Sequence, residues 1–445
     1  MDLDAIFKAY DVRGLYPAQL DEEVAHRAGR AIVELTKADR VLVAHDMRSS
    51  SEPLSSAFIS GVLTQGADVA DLGLAATDMV YFASGRQNAP GAVFTASHNP
   101  ARYNGIKLCR AGAVPIGEDT GLLDIKGMVA ANEFPSGRRP GSAEKLDVLK
   151  DYVEHLTGLV DVRSFRHLTV VVDAANGMGG LTVPAVFDRL PVKVVPLYFE
   201  LDGTFPNHPA DPIQPENLKD LIGAVLEHGA DIGLALDGDA DRVFLVDEKG
   251  EPVSGSLTAA LVARSILREH PGEKVIYSIT TSRVVRETIV ESGGYPIRSR
   301  VGHSFIKQLM AETGAIFGGE HSGHYYFRDH YRADCGLLAA LHVLQALSEG
   351  SAPLSEVLAS LRRYWASGEI NSEVGDKDDA MRVVAGKFPA ERVDWTDGLT
   401  VEFDDWWFNL RPSNTEPLLR LNVEAADPAI GEARRDEILG VIRGR

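Results

Sequence analysis

Cysteine is nearly absent: Cys109 and Cys335 are the only two in 445 residues, too few for a disulfide framework in a chain this size and in keeping with a reducing compartment. Long apolar runs are missing too. The longest nearly apolar stretch, Gly336 to Leu347, falls well short of the roughly 20 residues that cross a bilayer, and reads as a buried helix. The opening MDLDAIFKAYDVRG is acidic and has no apolar core, so it does not read as a secretory signal. Positive charge is the scarcer sign. Forty-five Lys and Arg against 64 Asp and Glu give a formal charge of −19, which argues against nucleic acid or an anionic membrane as partner, since either demands a broad basic face. A small anion remains compatible where cations cluster. These absences point to a cytoplasmic protein with neither nucleic-acid nor membrane partners.

What is present is an ordinary globular composition with many tight turns: 44% hydrophobic and 24% charged residues, 42 Gly and 22 Pro. At about 100 to 200 residues per domain the chain holds three or four. Short β-branched runs alternate with amphipathic segments of helix length, the pattern of α/β units on parallel or mixed sheets. Three blocks repeat it: VLVAHD, ADVADLGL and GAVF; HLTVVVD, VKVVPLYF and DIGLALD; KVIYSIT, GGYPIRSR and GAIFGG. In each, the third run leads into a polar loop. The stretch Pro135 to Ser142 has linker composition, a turn at Glu248 to Pro252 closes the second block, and the character changes near 365. The expected division is therefore 1–143, 144–250 and 251–364 as three similar α/β domains with mixed sheets, and 365–445 as a smaller α+β domain.

Four loops gather polar groups that a plain turn does not need: TASHNP (95–100), DGDADR (237–242), GGEHSGH (318–324) and RPSNTEP (411–417). Open α/β sheets place ligands at such carboxyl ends of strands. In DGDADR, Asp237, Asp239 and Asp241 alternate, so a curved loop can converge their carboxylates, and such crowding calls for a cation. An all-oxygen set favours Mg²⁺ or Ca²⁺. The plainer reading is a solvated acidic turn. An EF-hand is excluded, because Arg242 stands where that loop requires glycine and strands flank it.

Ser97 offers a hydroxyl nucleophile, with His98 beside it and Lys107 beyond, although most serines in Asn/Pro turns only cap backbone groups. Neighbouring side chains along a chain rarely face each other, so Ser97 needs help from other loops. Arg411, Ser413, Asn414 and Thr415 suit a phosphate, or else a hydroxyl-rich turn. Glu320 can accept paired sugar hydroxyls, and Gly318 and Gly319 let backbone approach a ligand. His321 and His324 suggest zinc only weakly without a third ligand. The glycines of HLTVVVDAANGMGG imitate a dinucleotide fingerprint, but Thr182 follows where a third glycine is needed, and the segment reads as a structural βα turn.

Taken in this order, the loops resemble the α-D-phosphohexomutase superfamily, most closely its bacterial phosphomannomutase/phosphoglucomutase branch, from KAYDVRG (8–14) to RPSNTEP. The resemblance implies four domains around a central active-site cleft and exchange of phosphate between the 1- and 6-positions of a hexose. It implies that Ser97 is the phosphoserine and, with Asp237, Asp239 and Asp241, a ligand of Mg²⁺. Arg242 and Arg13 would act at the reacting group, and Lys107 and His98 would be acid/base candidates, Lys107 with its pKa lowered by neighbouring cations. Tyr10, His303, Glu320, Ser322, His324, Arg411, Ser413, Asn414 and Thr415 would bind the sugar phosphate. A hexose 1,6-bisphosphate would serve as intermediate and activator, in a monomer or weak homodimer. A phosphoglucosamine mutase, a Mg²⁺-dependent sugar phosphatase and a non-catalytic sugar-phosphate binder are the alternatives. Two positions depart from the pattern. Ile279 stands where relatives have a substrate-contacting lysine, leaving Arg283 or Arg300 to substitute, and Ala240 replaces a frequent glycine, tolerable if its φ is negative.

Overall fold

The three repeated blocks fold alike because their third strand reverses direction. In the first, Arg40–His45 lies between Asp68–Leu74 and Gly91–Phe94, parallel to both, and Gly91–Phe94 then turns back as antiparallel Tyr103–Arg110. In the second, Thr169–Asp173 lies between Lys193–Leu197 and Ile232–Leu236, and the chain returns as Val243–Asp247. In the third, Lys274–Ser278 lies between Tyr295–Ser299 and Phe317–Gly319, and returns as Tyr325–Phe327. Chain order switches sides at the first strand of each block, the topological point where open sheets form a crevice. Three of the four polar loops singled out from sequence, TASHNP, DGDADR and GGEHSGH, are these three reversals. The computed structural model describes residues 2–136, 138–388, 392–413 and 418–444.

Of the parallel strands, the central Gly91–Phe94 and Ile232–Leu236 are buried along their whole length, as continuous apolar runs require, whereas the outer Lys193–Leu197 and Tyr295–Ser299 are mostly half-buried. Edge strands complete the sheets. Val12–Leu15 pairs antiparallel with Tyr103–Arg110, and Ala143–Lys145 closes the far edge of the first sheet. The fourth unit is antiparallel throughout, in the order Trp365–Ala366, Leu418–Ala425, Trp406–Pro412, Leu399–Glu402, Arg392–Asp394, with Ile370–Glu373 also on Leu418–Ala425. The helix Pro428–Arg443 packs on it. This makes three α/β domains with mixed sheets and one smaller C-terminal domain.

The apolar stretch near 340 forms the helix Gly336–Ser348, buried over most of its length. Among the described residues no helix is long and apolar enough to cross a membrane. One apolar cluster runs through the first three domains, from Leu42 and Val93 through Val170 and Leu234 to Leu338 and Leu361. The C-terminal domain keeps a separate one around Phe408, Leu421 and Ile438. Its tie to the third domain is polar. Arg283 donates to the carbonyls of Phe403, Asp404 and Trp406, Arg298 pairs with Asp394 (3.2 Å) and Glu402 (2.9 Å), and Val301 N–H donates to Asp397 (2.9 Å).

Candidate active site

Ser97 sits in the first reversal at φ +50°, the left-handed region that non-glycine residues adopt at a cost. Its N–H donates to Thr95 Oγ1 (2.9 Å), which pins the turn. The kink has a consequence that sequence spacing does not suggest: it swings Ser97 and His98 to one side, Oγ to Nδ1 at 3.3 Å. Ser97 Oγ donates to Asp237 Oδ2 at 2.6 Å, across 140 positions of chain. Arg242 donates to the same carboxylate oxygen from Nε (3.0 Å), to Asp237 Oδ1 from its backbone N–H (3.2 Å) and to His98 Nδ1 (2.7 Å), and it reaches Ser97 Oγ at 3.5 Å. Burial, then the charge of Arg242, pushes His98 well below its ordinary pKa, so the ring is neutral and accepts at Nδ1.

A residue overlooked in the sequence holds this turn. Arg48, 2% exposed, follows the strand Arg40–His45, and all five of its side-chain N–H groups are used. Nε meets Asp46 Oδ2 (3.2 Å), while the two amino groups reach the carbonyls of Pro100, Tyr103, Ser97 and Asn99. Asp46 in turn accepts from the Arg48 N–H and from Ser51 Oγ.

In the second reversal the three aspartates are fully buried, and one oxygen from each lies within 4.8 Å of the others. Asp239 Oδ2 accepts from Lys107 Nζ (2.7 Å) and Thr77 Oγ1 (2.6 Å), and Asp241 Oδ2 from Lys107 Nζ (2.6 Å). Thr77 is a second residue missed, for a single threonine at a helix start gives no chemical signal. Burial, with Asp241 and Asp239 adding to it against Arg242, pushes Asp237 up to about 8. Burial also opposes ionisation of Asp239, but Lys107 outweighs it and holds that carboxyl far below the usual range. For Lys107 the expectation is reversed. Burial alone would lower its pKa, but the neighbours are carboxylates rather than cations, and Asp239 and Asp241 hold it well above the ordinary value.

The third reversal meets the second edge on: Arg242 and His324 form an isolated antiparallel bridge, and His324 Nε2 stands 3.9 Å from both Asp241 Oδ1 and Asp334 Oδ2. Ser322 Oγ is 3.0 Å from His324 Nδ1. Glu320 already accepts from Gly302 N–H (3.0 Å) and the Tyr326 hydroxyl (2.6 Å), so a sugar would share its remaining lone pairs. Tyr10 packs edge-on against His303, 5.1 Å between rings, and its raised pKa comes from burial, then Glu320 and Asp397, opposed by Arg300 and Arg411. The N-terminal segment thus faces both the third and the fourth domains. Burial, then Lys307, lowers His303 to about 3. Arg13 reaches Asn99 (2.7 Å) in the Ser97 loop and pairs with Asp11. Arg411 pairs with Glu369 (3.2 Å), and the Ser413 carbonyl accepts from Lys377 (2.9 Å). Asn414 and Thr415 lie outside the described residues.

Four models of the phosphoglucomutase/phosphomannomutase family match in succession: alpha/beta/alpha domain I over residues 4–136, domain II over 150–250, domain III over 254–364 and the C-terminal domain over 369–441. The chain belongs to this family. It is 40% identical over 450 residues to a phosphomannomutase of Escherichia coli, covering 98% of this chain and 99% of that one. It is 41% identical to a protein of Xanthomonas campestris named for phosphohexose mutases, with 98% and 99% covered. The crystal structure of a phosphoglucomutase/phosphomannomutase family protein from Burkholderia thailandensis superposes with a TM-score of 0.90 at 34% identity, covering 100% of this chain and 98% of that one.

The phosphohexomutase family depends on a metal, and the acidic cluster fits one. Asp239 Oδ1 and Asp241 Oδ1 are buried and accept no hydrogen bond, lone pairs aimed where a cation would sit. Burial, and after it the crowding by Asp241 and Asp239, raises the pKa of Asp237, and a cation would offset both. The two departures from the family pattern fare differently in the structure. Ile279 is buried, and of its two possible substitutes Arg283 is taken up by C-terminal carbonyls whereas Arg300 stacks on Phe305 (4.5 Å) beside Tyr10. Ala240 has φ +63°, not the negative value expected, so the loop carries an alanine in the left-handed region at about 1–2 kcal/mol.

Gly238 keeps the two central loops in contact: a Cβ there would stand 2.4 Å from the Ser97 carbonyl oxygen. Gly177, from the imitation fingerprint, packs in turn on Gly238, where a Cβ would lie 2.6 Å from its carbonyl. Gly238→Ala should therefore push the serine and aspartate loops apart and lower kcat by on the order of 100-fold, the penalty of a displacement near 1 Å, with far-ultraviolet circular dichroism unchanged. An unaltered kcat would show that the close approach is dispensable.

Proposed function

We propose that the protein is a hexose-phosphate mutase that carries a phosphoryl group on Ser97 and moves it between O1 and O6 of one sugar. The observation that carries this reading is the 2.6 Å bond from Ser97 Oγ to Asp237, with Arg242 on the same oxygen. A hydroxyl placed between a carboxylate cluster and a guanidinium is placed for phosphoryl transfer.

Phospho-Ser97 gives its phosphoryl group to the free sugar hydroxyl, and Oγ is left as the serine hydroxyl. The resulting hexose 1,6-bisphosphate turns over in the cleft and returns its other phosphoryl group to Oγ. Arg242 stabilises the transferring group, and Lys107, cationic beside Asp239 and Asp241, exchanges the proton that each half-reaction moves. Mg²⁺ held by Asp237, Asp239, Asp241 and a Ser97 phosphate oxygen would offset the charge of that group. Glu320, Ser322, His303 and His324 read the sugar. Tyr10, Arg411, Ser413, Asn414 and Thr415 hold the phosphate that is not reacting, and Arg13 steadies the Ser97 turn. The domain assignments follow: 1–143 for phosphoserine, 144–250 for metal, 251–364 for sugar and 365–445 for phosphate. We place the enzyme in the cytoplasm, as a monomer or weak homodimer activated by the bisphosphate.

The names of the relatives favour mannose and glucose phosphates. Rates with mannose 1-phosphate, glucose 1-phosphate and glucosamine 6-phosphate should rank the first two above the third, with the bisphosphate retained through many turnovers. Inorganic phosphate released in step with sugar turnover would make the protein a phosphatase instead.

A further inference from the structure

We infer that the chain binds one zinc-class divalent cation at a second, buried site formed by Asp78, His330 and Cys335. Asp78 lies in the first turn of the helix Thr77–Gln87, His330 ends the short turn Arg328–His330, and Cys335 caps the helix Gly336–Ser348. One oxygen, one nitrogen and the sulfur from these three lie within 4.8 Å of one another, and all three residues are buried.

The decisive anomaly is His330. The residue is 0% exposed, yet neither ring nitrogen has a hydrogen-bond partner. Asp78 Oδ1, buried in the same place, has none either. Buried polar atoms are nearly always paired, and each one left unpaired costs about 1–3 kcal/mol. A cation with nitrogen, oxygen and sulfur ligands would satisfy both residues at once.

The surroundings suit that ion. Cys335 Sγ accepts from the Leu338 N–H (3.3 Å) at the start of a 13-residue helix, while burial and then Asp78 push the thiol well above its ordinary pKa, so a bound cation would have to replace the proton they retain. The Tyr152 hydroxyl donates to Asp78 Oδ2 (2.5 Å) and lies 3.8 Å from Cys335 Sγ, so it holds the carboxylate in place beside the sulfur. Carboxylate and thiolate together would neutralise the ion. A mixed sulfur, nitrogen and oxygen set selects zinc over magnesium, whereas the all-oxygen Asp237 cluster selects the reverse. Uptake would displace the thiol proton, and that of Asp78 where the carboxyl carries one. The site would pin the first domain to the third. It would also steady Thr77, next to Asp78 and hydrogen-bonded to Asp239.

The test uses the full chain, stripped of metal and then given Zn²⁺ in a large excess of Mg²⁺. One zinc per chain should survive gel filtration, as measured by elemental mass spectrometry. Co²⁺ in its place should show a thiolate-to-metal charge-transfer band. Cys335→Ser and His330→Asn should each weaken zinc binding by on the order of 100-fold, while Asp237→Asn keeps it. No retained zinc, or zinc lost with Asp237→Asn but kept by Cys335→Ser and His330→Asn, would overturn the site and leave buried water as the occupant. Should either core variant fail to fold, the cobalt spectrum of the unaltered chain decides, because a spectrum without the thiolate band excludes Cys335 as a ligand.

Discussion

Ser97→Ala is expected to lower kcat by on the order of 10⁴-fold or more and to leave the purified chain without covalent phosphate. The size follows from the route: without Oγ the phosphoryl group has no covalent stop between the two sugar oxygens. Neither His98, a neutral ring already accepting from Arg242, nor Lys107, an ammonium held by two carboxylates, can take its place. Stability should barely change, by about 1 kcal/mol or less, because Asp237 Oδ2 keeps the Arg242 guanidinium when the serine donor is gone. Intact-mass measurement and steady-state kinetics check both parts. A variant that still carries phosphate, or still turns over near the normal rate, would move the nucleophile elsewhere.

Arg48→Ala should be the most destabilising single change near the site, by roughly 3–5 kcal/mol, because it strands buried Asp46 and removes donors from four carbonyls at once. The kinetic cost comes with it, since two of those carbonyls belong to Ser97 and Asn99, in the turn that holds the nucleophile at its left-handed φ. Arg48→Lys restores the charge but not the planar fork, and should recover only a minor part of the loss. Urea midpoints and kcat measured side by side test this. Lysine performing like arginine would show that charge alone suffices.

These two residues mark what can be read from sequence. Ser97 was legible because its loop follows a continuous apolar run, and a strand buried on both faces has no other signature. The aspartates were legible because three carboxylates at alternate positions need a common neutraliser. Arg48 was not, since its partners are mostly backbone carbonyls, which carry no residue type and no spacing rule. The facing of Ser97 and His98 was hidden for a related reason: it depends on one dihedral angle, and the rule for consecutive side chains assumes ordinary backbone. Ala240 misled in the same way, through a φ that composition does not report. Lys107 was misjudged because the sign of its neighbours is a property of folding, with Asp239 and Asp241 more than 130 positions away. The division into three like units and a fourth was open to reading, as each unit carries its own periodic pattern.

The fourth domain hangs on guanidinium, carboxylate and carbonyl contacts, and its oily interior never merges with that of the other three. Water can stand in for every one of those polar partners, so that part of the seam can be rehydrated at small cost, although buried Trp407, which lines a cavity with Tyr277 and Ile279, lies there as well. On the mutase reading proposed above, a guest would enter and leave by rehydrating this seam, while the serine and aspartate loops remain in the body whose apolar interior runs through the first three domains.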